Sequence, residues 1–261
     1  MILPFFFVLV ASRVAHLRFT FNSTLSPYIL FEVARPSILT STPTNISFPV
    51  GTVSITSPLE VCGSTSERQD RIITPISIAP FAEHFKGYFC ARFDQDTPEP
   101  SYGIIQNGTI SFPSPQNNTI KGPLLSAFAK FPTPASNPDT HHYTTITLRV
   151  GTSFISEDQA RSNIDAEIPT PVSASTNPDS AAPTADQPHL MTGTFENTVY
   201  RVRKSWTDLL NRIEIEPWMN ASSTDPLEMV DLQTFWTAVV RTLQVRKGII
   251  GILFQISCFF F

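Results

Sequence analysis

The chain has 261 residues, with 18 basic and 22 acidic side chains, a net charge of −4, and 41% hydrophobic residues that include 21 phenylalanines. This balance excludes a nucleic-acid binder, which needs a basic face, and supplies enough apolar side chain for a sizeable core. Twenty-three prolines against ten glycines suit strands joined by proline turns, and exclude the glycine-rich loops of a nucleotide-binding α/β sheet.

The first residues, "MILPFFFVLVA", look like the apolar core of a signal peptide without its positively charged flank. They run on into "ASRVAHLRFTF", where period-two alternation puts Ala15, Leu17, Phe19 and Phe21 on one face of a strand. His16, Arg18 and Thr20 take the other. Further strands are predicted at "YILFEVA" (28–34), ended by Pro36, and at "GTVSIT" (51–56), with Val53 and Ile55 inward. In "GYFCARFD" (87–94), Phe89, Ala91 and Phe93 oppose Tyr88, Cys90 and Arg92. The longest strand region is "HYTTITLRVGTSFI". Clusters of Pro, Ser, Asn and Thr separate them, with the spacing of an antiparallel β-sandwich.

At "LRVGTSFISEDQARSNIDAEIP" (148–169) the pattern changes abruptly from strand to helix. Ser156 stands three residues before Gln159, a capping box in which hydroxyl and amide reciprocally satisfy backbone donors, and Pro169 stops the helix. Glu157, Asp158, Asp165 and Glu167 read as solvent-facing. Residues 170–194, with Pro171, Pro178, Pro183 and Pro188 among small polar residues, form a low-complexity linker that cannot bury enough apolar surface to offset ordering.

Two amphipathic helices follow. In "FENTVYRVRKSWTDLLNRIEI" the stripe is Val199, Val202, Trp206, Leu209 or Leu210, and Ile213, with Arg203 and Lys204 on the solvated face. In "TDPLEMVDLQTFWTAVVRTL" Asp225 caps and Pro226 takes the first helical position, and Phe235, Trp236, Val239 and Leu243 form the apolar face. Trp206, Phe235 and Trp236 need a partner surface and are the candidate domain-interface residues. The final "GIIGILFQISCFFF" is shorter than the roughly 20 residues of a bilayer span, and is expected to lie outside the fold. The chain therefore divides into a sandwich (1–169), a linker or insert (170–194), helices (195–246) and an apolar tail (247–261).

No motif of chemistry stands out. His141 and His142 are adjacent, so on a strand they point to opposite faces and cannot chelate one ion. Asp94 and Asp96 flank a proline turn, a common structural place for aspartate. Inverting glycoside hydrolysis needs two carboxylates roughly 6.5–9.5 Å apart across a pocket, and nothing singles out such a pair. No catalytic and no metal-ligating residue is assigned. Three cysteines, Cys62, Cys90 and Cys258, set no disulfide framework. A Cys62–Cys90 bridge is possible but unsupported by the spacing, and Cys90 reads as a small buried hydrophobe. Five Asn-x-Ser/Thr sequons, at Asn22, Asn45, Asn107, Asn117 and Asn220, are the candidate N-glycosylation sites and point to a secreted protein.

Four segments, in order, resemble the N-terminal domain of fungal glycoside hydrolase family 92, the calcium-dependent exo-acting α-mannosidases. "LRFTF" with "SPYILFEVA" looks like the family's paired strands, and "GYFCARFD" like its "HFCVDF" strand. "LRVGTSFISEDQARSNIDAEIP" is similar to "RVGVSFIS…QA…N…EIP". "VRKSWTDLLNRIEIE" with "LQTFWTAVVRTL" resembles the interdomain helix and the opening of the catalytic barrel. The resemblance implies a mainly β fold, an antiparallel, supersandwich-like β-sandwich followed by a few helices that would start an α/α barrel. It implies mannose-containing glycans as partners and calcium as the cofactor of the full-length enzymes. The family's glycine-rich opening segment is not found ahead of Met1, and the barrel with its catalytic and calcium-binding residues would follow residue 246. An incomplete, inactive member is therefore expected, and no family site residue carries over. The alternatives are a non-catalytic carbohydrate-binding sandwich, using Tyr88, Tyr102 or Trp218 as a sugar platform, and a peptide N-glycanase-like sandwich.

Overall fold

The computed structural model describes residues 5–10, 12–22, 26–38, 46–66, 84–112, 119–132, 143–170, 193–213, 234–239 and 255–259. Its strands and helices are numbered here in chain order. One sheet has seven strands, in the spatial order β1 (Phe5–Val10), β2 (Val14–Asn22), β13 (Tyr143–Ser153), β8 (Gly87–Phe93), β7 (Glu60–Thr65), β6 (Gly51–Ser57) and β11 (Thr119–Gly122). The second has five: β10 (Thr109–Ser111), β9 (Ser101–Gln106), β12 (Leu125–Lys130), β3 (Tyr28–Ala34) and β14 (Gln255–Phe259). A two-residue pair joins β4 (Ser37–Ile38) to β5 (Ile46–Ser47). All neighbouring pairs are antiparallel.

Alternation decides the layering. Leu17, Phe19, Phe21, Val53, Ile55, Phe89, Ala91, Phe93, Ile146 and Leu148 from the large sheet meet Ile29, Phe31, Val33, Ile104, Ala127 and Phe131 in one buried cluster. The predicted inward faces of β2, β6 and β8 are therefore the core faces. Burial of one such phenylalanine contributes about 1.5–3 kcal/mol, and Phe31, Phe93 and Phe131 meet edge to face across the sheets.

The other face of the seven-stranded sheet is also covered. Helix α1 (Glu157–Glu167) crosses its strands, and Val14, Cys62, Cys90, Ala160, Ile164 and Ile168 form a second, smaller core beneath it. Gly151 makes this crossing possible. A Cβ there would lie 2.2 Å from the Ala160 carbonyl oxygen and 2.7 Å from Ile164. The Ser156 hydroxyl accepts from the Gln159 N–H, as the capping signal predicts. The reciprocal half of the box is not formed. Gln159 donates instead to Asn163 Oδ1, at 3.0 Å, because Asn163 is buried with its amide committed to the Thr152 carbonyl and its oxygen needs a donor.

Helix α2 (Phe195–Leu210) is capped by the Thr194 hydroxyl. It docks through its first turn, where Phe195, Asn197 and Thr198 are buried. The expected stripe of Val199, Val202, Trp206, Leu209 and Leu210 is only half-buried, and Arg203 and Lys204 are exposed. Residues 234–239 are helical, so the second predicted helix is present over part of its length. Residues 255–259 of the tail, expected to lie outside the fold, pair with β3 as an edge strand. The edge of β3 offers unpaired N–H and C=O groups that such a run satisfies. The proposed linker lies almost wholly outside the described residues.

Candidate functional site

Polar side chains collect on the helix-covered face of the seven-stranded sheet. Register places them in one row across four strands: Glu60 opposite Arg92, Arg92 opposite Arg149, and Arg149 opposite His16. Alternation turns all four away from the sandwich core and under the helices. His16 and Arg149 are fully buried and Glu60 and Asp94 nearly so.

At one end of the row, Glu60 accepts from Arg92 Nε, Arg161 Nε and the Thr56 hydroxyl, at 2.9, 2.9 and 2.7 Å. Burial alone would raise its pKa. The hydrogen bonds from Thr56, Arg161 and Arg92 outweigh that and hold the carboxyl below its ordinary range. Arg92 also pairs with Asp165, and Arg161 with Asp158. Glu157 is half-buried, and its burial pushes its pKa up.

At the other end, Arg149 Nε lies 2.8 Å from Asp94 Oδ1, and His16 Nε2 lies 3.6 Å from Asp94 Oδ2. Arg149 donates to the Ile168 carbonyl, and desolvation draws its pKa down. His16 Nδ1 shares a hydrogen bond of 2.9 Å with the Thr198 hydroxyl and packs edge-on against Phe195. Arg18 covers the same ring at 4.0 Å and pairs with Glu196. The row thus fastens both helices to the sheet.

Several expectations change here. Asp94 stands at the turn, its carbonyl accepting from the Thr97 N–H, and its side chain is also the buried counter-ion of Arg149; Asp96 is exposed. Asp158 and Asp165 are exposed as predicted, whereas Glu167 is turned inward. It accepts from the Ser12 and Arg13 backbone N–H groups and pairs with the Arg13 side chain. Cys62 and Cys90, directly opposed on β7 and β8, are joined in a disulfide beneath α1. Tyr102 is buried, with its hydroxyl donating to the Pro58 carbonyl, and Tyr88 is half-buried, so these two do not form a sugar platform; Trp218 lies outside the described residues.

Of the interface candidates, Trp206 and Trp236 are half-buried and Phe235 is 42% exposed, ring to ring with Trp236. Of the sequon residues, Asn107 is exposed in the β9–β10 turn. Asn22 ends β2, and Asn45, Asn117 and Asn220 lie outside the described residues.

Chemically, the row is a set of ion pairs in which His16 Nε2 and Arg149 Nη2 are buried without a hydrogen-bond partner among the described residues. Glu60, held ionised between two guanidinium groups, is a poor general acid. Calcium takes six to eight oxygen ligands. Among the described residues, the group of metal-type side chains within mutual reach is Glu60, Cys62 and Cys90. Two of its three atoms are sulfurs bonded to each other, so it does not fit calcium.

The chain matches the glycosyl hydrolase family 92 N-terminal domain over residues 9–153. It belongs to glycoside hydrolase family 92. The match spans the whole of β2, β7, β8 and β13, the four strands of the polar row. A solved structure of a family 92 glycosyl hydrolase, CcMan5, is similar to this chain with a TM-score of 0.51 and 15% identity. The likeness covers 85% of this family 92 chain and 22% of that one. The chain therefore spans about a fifth of the length of that relative. Among curated proteins no relative matches. No described helix of the family 92 chain is long and apolar enough to cross a membrane.

Proposed function

We propose that this chain is the N-terminal sandwich of a secreted α-mannosidase, structural in role and inactive alone. The observation that carries the reading is the family match over residues 9–153, a region in which every buried carboxylate among the described residues is paired with a cation. In a complete enzyme, one carboxylic acid would protonate the leaving glycosidic oxygen and a second carboxylate would activate water on the opposite face of the sugar. The described residues provide a platform for such groups, not the groups themselves. The exposure of Phe235 supports this, as an apolar side chain of the kind that packs against a further domain.

The test is mannose release from α-linked mannobiose by the purified chain, with and without calcium. No release is expected in either condition. Release abolished by a chelator would place a complete active centre within these residues. Secretion is supported by the disulfide and the exposed sequon at Asn107. Expression in a eukaryotic secretory host should give a glycoprotein whose mass drops on endoglycosidase treatment, and Asn107→Gln should remove one glycan.

A further inference from the structure

The disulfide sits in an asymmetric environment. Arg161 Nη2 donates towards Cys62 Sγ at 3.3 Å, and its guanidinium is fixed by Glu60 through Nε and by Asp158 through Nη1. Cys90 Sγ instead lies 3.5 Å from the Glu157 carbonyl oxygen. Cys62 Sγ thus faces a cation as well as the Glu60 carboxylate, whereas Cys90 Sγ faces a carbonyl acceptor. From this we infer that Cys62–Cys90 is a thiol–disulfide exchange site in which Cys62 is the stabilised thiolate and Cys90 the protonated thiol.

The chemistry follows from the two contacts. A dithiol reductant attacks Cys90 Sγ through one thiolate, forming a mixed disulfide as the Cys62 electron pair leaves against Arg161. The reductant's second thiol then loses its proton and displaces Cys90, which takes up that proton and hydrogen-bonds through S–H to the Glu157 carbonyl. Two electrons pass from the dithiol, which ends as its own disulfide. A guanidinium beside a sulfur favours the thiolate, and a carbonyl acceptor favours S–H. The charged groups facing the pair are Glu60 on β7, Arg92 on β8, and Glu157, Asp158, Arg161 and Asp165 on α1. Glu60 Oε1 is 3.6 Å from Cys62 Sγ and would oppose the thiolate, but its charge is shared between Arg92 and Arg161. Both sulfurs are fully buried under α1, so this helix gates access to each alike, and the ratio of their reactivities reports the local environment.

The experiment uses the full chain with Cys258→Ser, reduced with dithiothreitol, with near-UV circular dichroism recording the fold. Iodoacetamide labelling is followed by peptide mass spectrometry across pH 5.5–9. Cys62 should label faster than Cys90 at pH 6.5, because its larger thiolate fraction outweighs the lower nucleophilicity of a lower-pKa thiolate. Arg161→Gln should bring the ratio near one, and Arg161→Lys should keep part of it. Equal pH profiles in the folded reduced protein, or a ratio unmoved by Arg161→Gln, would overturn the inference. So would loss of the near-UV signal on reduction, because the bond would then be a structural staple.

Discussion

Glu60 and Glu157 face α1 from opposite sides of an electrostatic balance. Glu60 titrates below its ordinary value of 4.5, so its contribution to stability is present above that value and lost as pH falls through the lower folded value. Removing one partner of a buried ion network costs on the order of 3 kcal/mol. Glu60→Ala should therefore lower the melting temperature strongly at pH 7, and by progressively less as pH falls below 4.5. Glu157 titrates above 4.5 because of burial, and the sign reverses. Its protonated form suits the fold, and stability is lost as pH rises through the raised value. Glu157→Gln should raise the melting temperature at pH 7 and leave it unchanged well below pH 4.5. Thermal melts of the two variants across pH 3–8 check both. Neither partnership was legible in the sequence. Alternation set His16, Arg18 and Arg92 on the face opposite the core, and that was right, but alternation does not say what covers that face. Only the register of β7, β8, β13 and β2 shows that these residues line up in one row.

At the scale of elements, local signals served best where one residue fixes one turn. The Ser156 cap and the stop near Pro169 located α1 closely, because capping needs no distant partner. What α1 lies on was hidden, since Gly151 looks like an ordinary strand glycine until the helix is seen against it. Gly151→Ala forces the Cβ into the Ala160 carbonyl, and overpacking of this kind typically costs about 1–3 kcal/mol. Urea denaturation should show the loss, with α1 amides exchanging faster with deuterium than those of β13. The stripe on α2 was read correctly as amphipathic and in need of a partner surface, and it is half-buried. Helical periodicity shows that a face is apolar, not that anything in the same chain covers it.

For the molecule as a whole, one end of the seven-stranded sheet is conspicuously apolar. Among the described residues Phe48, Val50, Phe85, Phe154 and Ile155 are exposed there, ahead of β6 and β8 and beyond β13, with the rings of Phe85 and Phe154 5.3 Å apart. Such patches drive association. Ile155→Ser should reduce concentration-dependent light scattering of the isolated chain while leaving its melting temperature within about 1 °C, because surface substitutions away from packed features change stability little. The sandwich itself was legible from alternation and proline spacing. The pairing of 255–259 with β3 was not, because a short apolar run carries no signal of which edge it joins.

The β9–β10 hairpin turns through Asn107 and Gly108, both at positive φ, 51° and 78°, and Asn107 begins the sequence Asn-Gly-Thr. Beside it runs β10, the outermost strand of its sheet, whose outer rim has no neighbour among the described residues. A sugar chain attached at that corner would stand as a hydrated bumper next to the open rim. It would deter a second molecule from adding its own strand there, so the unglycosylated protein should be the one that clumps.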